Sequence, residues 1–119
     1  MLRSFVLGTV VATSACFLSE ASIEGEVTVV GSSAGACFDR AGAPIPTVRI
    51  SVRAAGDSLA TKDFRCGGRF SLAVGPGAYY LQAWVYTPDG ATQLASGSIG
   101  PYQLDDADLE VGTFVVTLF

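Results

Sequence analysis

The sequence predicts an all-β fold: an antiparallel Greek-key sandwich of seven to eight short strands. Apolar and polar residues alternate with a period of two in several segments, as they do when one face of a strand is buried. Gly, Pro, Asp and Ser separate these segments. No stretch after residue 21 carries the apolar period of a helix. The length of 119 residues fits one domain, which we predict over residues 22–119.

Residues 1–21 have the pattern of a secretory signal. Arg3 supplies a positive charge, residues 5–12 form an uncharged apolar run, and small residues follow. A run of this length is too short to span a bilayer as a mature helix. Cleavage after Ala21 satisfies the small-x-small rule through Ser19 and Ala21, and it would release a secreted domain.

Cys16 offers a second cleavage site. The letters "TSAC", residues 13–16, resemble a bacterial lipobox, although Thr13 stands where Leu is commonest. The cysteine would then become a lipidated N-terminus that anchors the protein at the cell envelope. The chain has three cysteines, and an unpaired thiol is a liability in an oxidising compartment. The count favours lipidation or removal of Cys16, and both cleavage sites stay open.

Eight segments of the chain are candidate strands. The clearest is residues 47–53, in which Val48, Ile50 and Val52 share one face. A "GPG" turn joins two others into a hairpin, because Pro fixes its own φ and Gly adopts conformations that side chains resist. The candidates are residues 23–30, 34–39, 47–53, 58–64, 69–74, 79–85, 92–99 and 113–119.

Two of these regions resemble a known domain family. They read "GACFDRAGAPIPTVRISV" and "GGRFSLAVGPGAYYLQA", and they are similar to the carboxypeptidase regulatory-like domain of the transthyretin-like sandwiches. The family pattern is roughly G-x-V-x-D, G-x-P-I-x-x-A-x-V, G-x-F-x-L and P-G-x-Y-x-L. Its positions are occupied by Gly35, Cys37, Asp39, Gly42, Pro44, Ile45, Val48, Gly68, Phe70, Leu72, Pro76, Gly77, Tyr79 and Leu81. The resemblance implies a stabilising or binding module.

The chain departs from the family pattern at two cysteines. Cys37 replaces the usual Val, and Cys66 lies in the loop before Gly68, where the family commonly has an acidic or polar residue. Two departures to Cys in an exported chain imply a disulfide between Cys37 and Cys66, worth about 3 to 4 kcal/mol on the chain-entropy estimate. Two free thiols are the alternative.

Composition removes several classes of function. The chain contains neither His nor Asn, so it lacks an imidazole base for a catalytic triad and cannot form a histidine-bearing zinc or iron site. The histidine-dependent enzymes among relatives of this fold are excluded in the same way. The formal net charge is −4, and Lys62 is the one lysine, which leaves no basic surface for nucleic acid. We therefore expect no enzyme activity, no cofactor and no nucleic-acid partner.

An outward row of aromatic residues is the candidate ligand site. If Tyr79, Leu81 and Ala83 face the core, the same strand directs Tyr80, Trp84 and Tyr86 outward, together with Gln82. Such rings stack on sugars or anchor a protein partner. The alternative interpretation is that a neighbouring strand or loop covers them.

Charged residues offer weaker candidates. "LDDADLE" places Asp105, Asp106, Asp108 and Glu110 within six positions, which suits either calcium or a solvated turn. Arg49 and Arg53 are expected to be solvated or paired with acidic neighbours. Arg65 and Arg69 flank the Cys66 loop, where they could favour an anionic ligand.

Two functional hypotheses follow from the sequence. The first is a non-catalytic exported module with a binding or structural role at the bacterial cell envelope. Its partner would be an envelope protein or a glycan, and it would contact the membrane only through a lipid on Cys16. The second is a secreted carbohydrate-binding domain that uses the aromatic row around Trp84. No metal ligand set or catalytic residue is assigned in either hypothesis.

Overall fold

The computed structural model describes residues 21–55 and 57–119, and these form seven strands and no helix. The strands are β1 Ala21–Val30, β2 Thr47–Ala54, β3 Asp57–Arg65, β4 Arg69–Val74, β5 Gly77–Tyr86, β6 Gln93–Leu104 and β7 Leu109–Thr117. The prediction of an all-β fold is confirmed. Cys16 and the predicted signal before Ala21 lie outside the described residues. Within the described part of the chain, no helix is available to cross a membrane.

The strands form two sheets with a shared core. One sheet has the order β4-β1-β7, and the other has the order β3-β2-β5-β6. Neighbouring strands are antiparallel, except that β1 and β7 are parallel. The predicted β-sandwich is therefore present, with seven strands. The Greek-key connectivity and the transthyretin-like assignment stay predictions.

The core lies between the two sheets and is built mainly from alternate residues of the strands other than β3, which has no fully buried residue. Val48, Ile50 and Val52 of β2 are fully buried, as their spacing predicts. Phe70 and Phe114 are the largest fully buried side chains, and they come from the two edge strands of the three-stranded sheet. Burial of each such side chain contributes about 1.5 to 3 kcal/mol. This burial also fixes which residues of every strand face outward.

The prediction of a strand at residues 34–39 is wrong. The segment forms turns and contributes one isolated bridge, between Phe38 and Pro44. Cys37 has a φ of 63°, which lies in the left-handed region rather than the extended region of a strand. Its N–H donates to the Val29 carbonyl oxygen at 2.8 Å, outside any regular ladder. Small residues in "GSSAGAC" allow this compact path.

The two C-terminal strands begin or end beyond their predicted bounds. β6 extends through Gly100 and Pro101 to Leu104, whereas we predicted an end at residue 99. Pro normally ends a strand because it lacks an N–H, but β6 is an edge strand that pairs only with β5 in its sheet. β7 begins at Leu109, four residues before the predicted segment.

Different parts of the chain form the two ends of the sandwich. At the end that we name the N-terminal pole, Ala21 pairs with Val74, and the Ser22 N–H donates to Asp108 at 2.8 Å. The opposite end, the loop pole, carries the connecting segments 31–46 and 87–92. β5 runs from the first pole to the second over ten residues, which is about 30 Å.

Candidate functional site

The outer face of the four-stranded sheet carries the candidate site. Strand register places Asp63, Arg49, Trp84 and Ser96 in one row across β3, β2, β5 and β6. The next row toward the N-terminal pole contains Thr61, Ser51, Gln82 and Ser98. The outer face therefore combines aromatic, charged and small polar groups.

A groove of about 310 Å³ lies on this face at the loop pole. Trp84 and Tyr86 contribute its aromatic surface, and Arg49 and Asp63 contribute its charges. Tyr86 is 41% exposed, whereas Trp84 is partly buried. The walls are residues 46–47 on one side and Thr87, Pro88 and Gly90 on the other.

Arg49 and Asp63 form a two-point ion pair within the groove. The Arg49 Nε lies 2.9 Å from Asp63 Oδ1, and its Nη2 lies 3.4 Å from Oδ2. Hydrogen bonding to Asp63, and then the carboxylate's charge, raise the pKa of the Arg49 guanidinium above its ordinary value. Both side chains are about half exposed, so solvent screening makes their contribution to stability small. The pair places a positive and a negative group side by side in the groove.

The loop between β5 and β6 forms one wall of the groove and is hydrogen-bonded within itself. The Thr87 N–H donates to the Thr92 carbonyl oxygen at 2.8 Å, and the Gly90 N–H donates to the Thr87 carbonyl oxygen at 2.7 Å. Asp89 accepts hydrogen bonds from the Thr87 hydroxyl and the Ala91 N–H, and these lower the pKa of its carboxyl.

The structure separates the three aromatic residues predicted to bind ligand. All three lie on the outer face of β5, as the alternation predicts. Trp84 and Tyr86 line the groove, whereas Tyr80, 48% exposed, lies outside it beside Arg53 in the register. Their role in ligand binding stays a prediction.

Sequence reasoning missed the groove residues that other strands and loops supply. Asp63 enters the site because the β2–β3 pairing places it opposite Arg49. Pro46 and Pro88 enter because the two loops converge at the same pole. Arg49 was expected to be either solvated or paired with an acidic neighbour, and the structure shows the second alternative, with Asp63 as the partner.

The predicted disulfide between Cys37 and Cys66 is present beside the site. The two Cα atoms are 5.9 Å apart. The bond joins the 31–46 segment to the turn between β3 and β4, and the Cys66 N–H donates to the Pro46 carbonyl oxygen at 3.0 Å. It therefore supports the residue that forms one wall of the groove.

Two of the four acidic residues in the segment 105–110 make contacts within the fold. Asp108 accepts a hydrogen bond from the Ser22 N–H, and Glu110 pairs with Arg69. Hydrogen bonding to Arg69 lowers the pKa of the Glu110 carboxyl. Among residues 21–55 and 57–119, no three Asp, Glu, Cys or His side chains are grouped as metal ligands. The solvated-turn interpretation fits this segment better than calcium.

Two comparisons with known proteins find no relative of this chain. No family model matches the chain, and a search of curated proteins finds no significantly similar sequence. The resemblance to the carboxypeptidase regulatory-like domain therefore rests on the motif residues alone and stays a prediction.

Proposed function

We propose that the protein is a non-catalytic, exported β-sandwich module that binds a ligand of the bacterial cell envelope in the groove at the loop pole. The main support for this proposal is the groove itself, in which Trp84 and Tyr86 lie beside the Arg49–Asp63 ion pair. The motif resemblance to a family of non-catalytic modules also supports it.

Preorganisation makes this surface suited to binding. Aromatic side chains give a large contact area and lose little conformational entropy. The Arg49–Asp63 pair and the hydrogen bonds of the loop at Thr87 are already formed without a ligand, which lowers the cost of association. A groove with these properties favours recognition over simple structural support.

Two features support export and an anchor at Cys16. The disulfide suits an oxidising compartment. Ala21 is 4% exposed and pairs with Val74, so cleavage after Ala21 would remove a core residue from the mature domain, whereas cleavage before Cys16 keeps it. A lipid on Cys16 would then hold the N-terminal pole toward the membrane and leave the groove facing away.

Cosedimentation tests the binding role. The purified domain is mixed with isolated bacterial envelopes, and Trp84→Ala is compared with Tyr80→Ala, a matched change on the same strand face outside the groove. We expect the parent and Tyr80→Ala to sediment with the envelopes and Trp84→Ala to stay in solution. Equal sedimentation of all three folded proteins would refute the groove as the binding site.

Intact mass of the exported protein tests the anchor. A diacylglycerol-modified Cys16 at the N-terminus is expected, and Cys16→Ser should abolish the added mass and the membrane attachment. A mature N-terminus at Ser22 would instead support the secreted alternative.

A further inference from the structure

We infer that the groove binds a neutral pyranose sugar, with the ring against Trp84 and its hydroxyl groups on the Arg49–Asp63 pair. This inference rests on the proposed binding function and names the class of its ligand. It follows from the charge of the groove, its unused hydrogen-bonding capacity and the backbone beneath it.

The charge balance of the groove selects against ionic ligands. Arg49 and Asp63 are the charged residues that line it, and they neutralise each other at 2.9 Å. An anion on Arg49 would lie close to the Asp63 carboxylate, and a cation on Asp63 would lie close to the Arg49 guanidinium. The whole chain also carries a formal net charge of −4, which further disfavours anions. A polar but uncharged ligand meets neither penalty.

The ion pair leaves hydrogen-bonding capacity that suits vicinal hydroxyls. A guanidinium has about five N–H donors and a carboxylate roughly four lone-pair sites, and the mutual contacts use two of each. Unused donors and acceptors therefore stand side by side. A hydroxyl both donates and accepts, so neighbouring hydroxyls of a sugar can satisfy Arg49 and Asp63 together.

The aromatic residues supply the apolar part of the contact. Trp84 and Tyr86 are two positions apart on the same face of β5, which is about 7 Å. One face of a pyranose ring presents C–H groups that can stack on an indole. The volume of about 310 Å³ lies at the small end of the roughly 300 to 1,000 Å³ typical of ligand pockets, which favours a short saccharide.

The position of the groove disfavours an extended peptide. Peptides that add to a sheet form main-chain hydrogen bonds at a free strand edge. Arg49 and Trp84 face each other on β2 and β5, the two central strands, whose edges are paired on both sides. A ligand that brings its own donors and acceptors suits this position better.

Intrinsic fluorescence provides a direct test, because Trp84 is the single tryptophan of the chain. The probes are gluco-, galacto- and manno-oligosaccharides, their uronic-acid counterparts, and a proline-rich peptide. We expect a saturable change in emission with at least one neutral oligosaccharide and none with the uronic acids or the peptide. A response to the uronic acids or the peptide alone, or to no probe, would overturn the inference.

Variants of the ion pair sharpen this test. Arg49→Gln and Asp63→Asn should each weaken neutral-sugar binding by about tenfold, the scale of a lost interfacial contact. Asp63→Asn also leaves the Arg49 charge uncompensated, so it should gain affinity for the uronic acid. Tyr80→Ala, which is outside the groove, should bind as the parent does. Unchanged affinity in both folded variants would contradict the assigned contacts.

The two proposals can fail separately. If Trp84-dependent envelope binding persists while every neutral sugar fails, the sugar inference falls and the binding module stands. If Trp84→Ala sediments with the envelopes as the parent does, and no probe changes the emission of the parent protein, both proposals fall.

Discussion

Cys37 holds a backbone conformation that few residues with a side chain adopt. Its φ is 63°, and left-handed geometry costs an L-residue about 1 to 2 kcal/mol. Backbone hydrogen bonds to Val29 and from Ile45 hold the residue in place, and its sulphur reaches Cys66. Gly would suit the backbone better at this position, so the sulphur is the physical reason for Cys.

Replacing the disulfide separates its stabilising effect from the cost of the left-handed backbone at Cys37. Cys37→Ser/Cys66→Ser should lower the free energy of unfolding by about 3 to 4 kcal/mol, because the bond closes a loop with a sequence separation of 29. Cys37→Gly/Cys66→Ser should lower it by about 1 kcal/mol less, because Gly removes the left-handed strain. Urea denaturation of the three proteins measures both differences. Equal stability of the two double variants would contradict the strain argument.

Single residues were predictable where one strand decides their direction. Alternation on β5 predicted correctly that Trp84 and Tyr86 face outward. It could not identify Asp63 as their neighbour, because that depends on the register between β2 and β3. The φ of Cys37 was equally hidden, since it follows from contacts with residues on both sides of the turn.

At the scale of the element, β1 depends on a glycine in its middle. Gly25 lies at a register shift between β1 and β7. A Cβ there would lie 2.9 Å from the ring of Phe70, and closer still to the Gly112 carbonyl oxygen. The absence of a side chain at Gly25 lets the buried Phe70 ring pass across the strand.

Gly25→Ala should therefore destabilise the domain. We expect a loss of about 2 to 3 kcal/mol, at the upper part of the range for overpacked cores, because backbone as well as a side chain must shift. Gly75→Ala is the matched control: a Cβ at Gly75 meets nothing within 4 Å, so its stability should stay within about 0.5 kcal/mol. Thermal unfolding measures both changes. A Gly25→Ala protein as stable as the control would show that β1 can shift without cost.

The first five strands were predictable as elements. β1 to β5 each lie within two residues of their predicted bounds, and β2, β4 and β5 have the clearest alternation. The segment 34–39 failed because its Gly and Ser residues match a turn as well as a strand. β6 continues through Pro101 because it is at a sheet edge, and edge position is a property of the assembled sheet.

At the scale of the whole molecule, the pH dependence of stability comes from carboxylates. The chain has no histidine. The pKa of Glu110 is lowered by its hydrogen bond from Arg69, and the pKa of Asp89 by hydrogen bonds from Thr87 and Ala91. A lowered pKa in the folded state means that the unfolded chain binds protons first as the pH falls. These groups stabilise the fold above their unfolded pKa and lose that effect in acid.

The melting temperature should therefore be nearly constant between about pH 6 and 8 and fall below about pH 4.5. Glu110→Gln should make the decrease of the melting temperature in acid shallower, because one of the carboxylates that cause this decrease is removed. Arg69→Gln should have a similar effect, since it removes the hydrogen bond that lowers the pKa of Glu110. Calorimetry across this pH range measures the three profiles. If the melting temperatures of all three proteins fell equally steeply in acid, a role for the Arg69–Glu110 pair would be contradicted.

The assignment of strands to sheets was beyond sequence reasoning at this scale. Alternation predicts that a strand has an inner face, but it contains no information about which distant strand will be its neighbour. Pairings such as β1 with β7 join opposite ends of the described chain. Convergence of the two loops on the groove depends on the same long-range arrangement.

The position of β1 between β4 and β7 has a consequence for transport. The Ser22 N–H finds its acceptor 86 positions later in the chain, and β1 cannot be flanked on both sides until β7 is available. If the protein is exported as we propose, with its N-terminus entering a narrow channel first, the sheet could not close until β7 had emerged. Late closure of the sheet would then keep the chain unfolded during its passage.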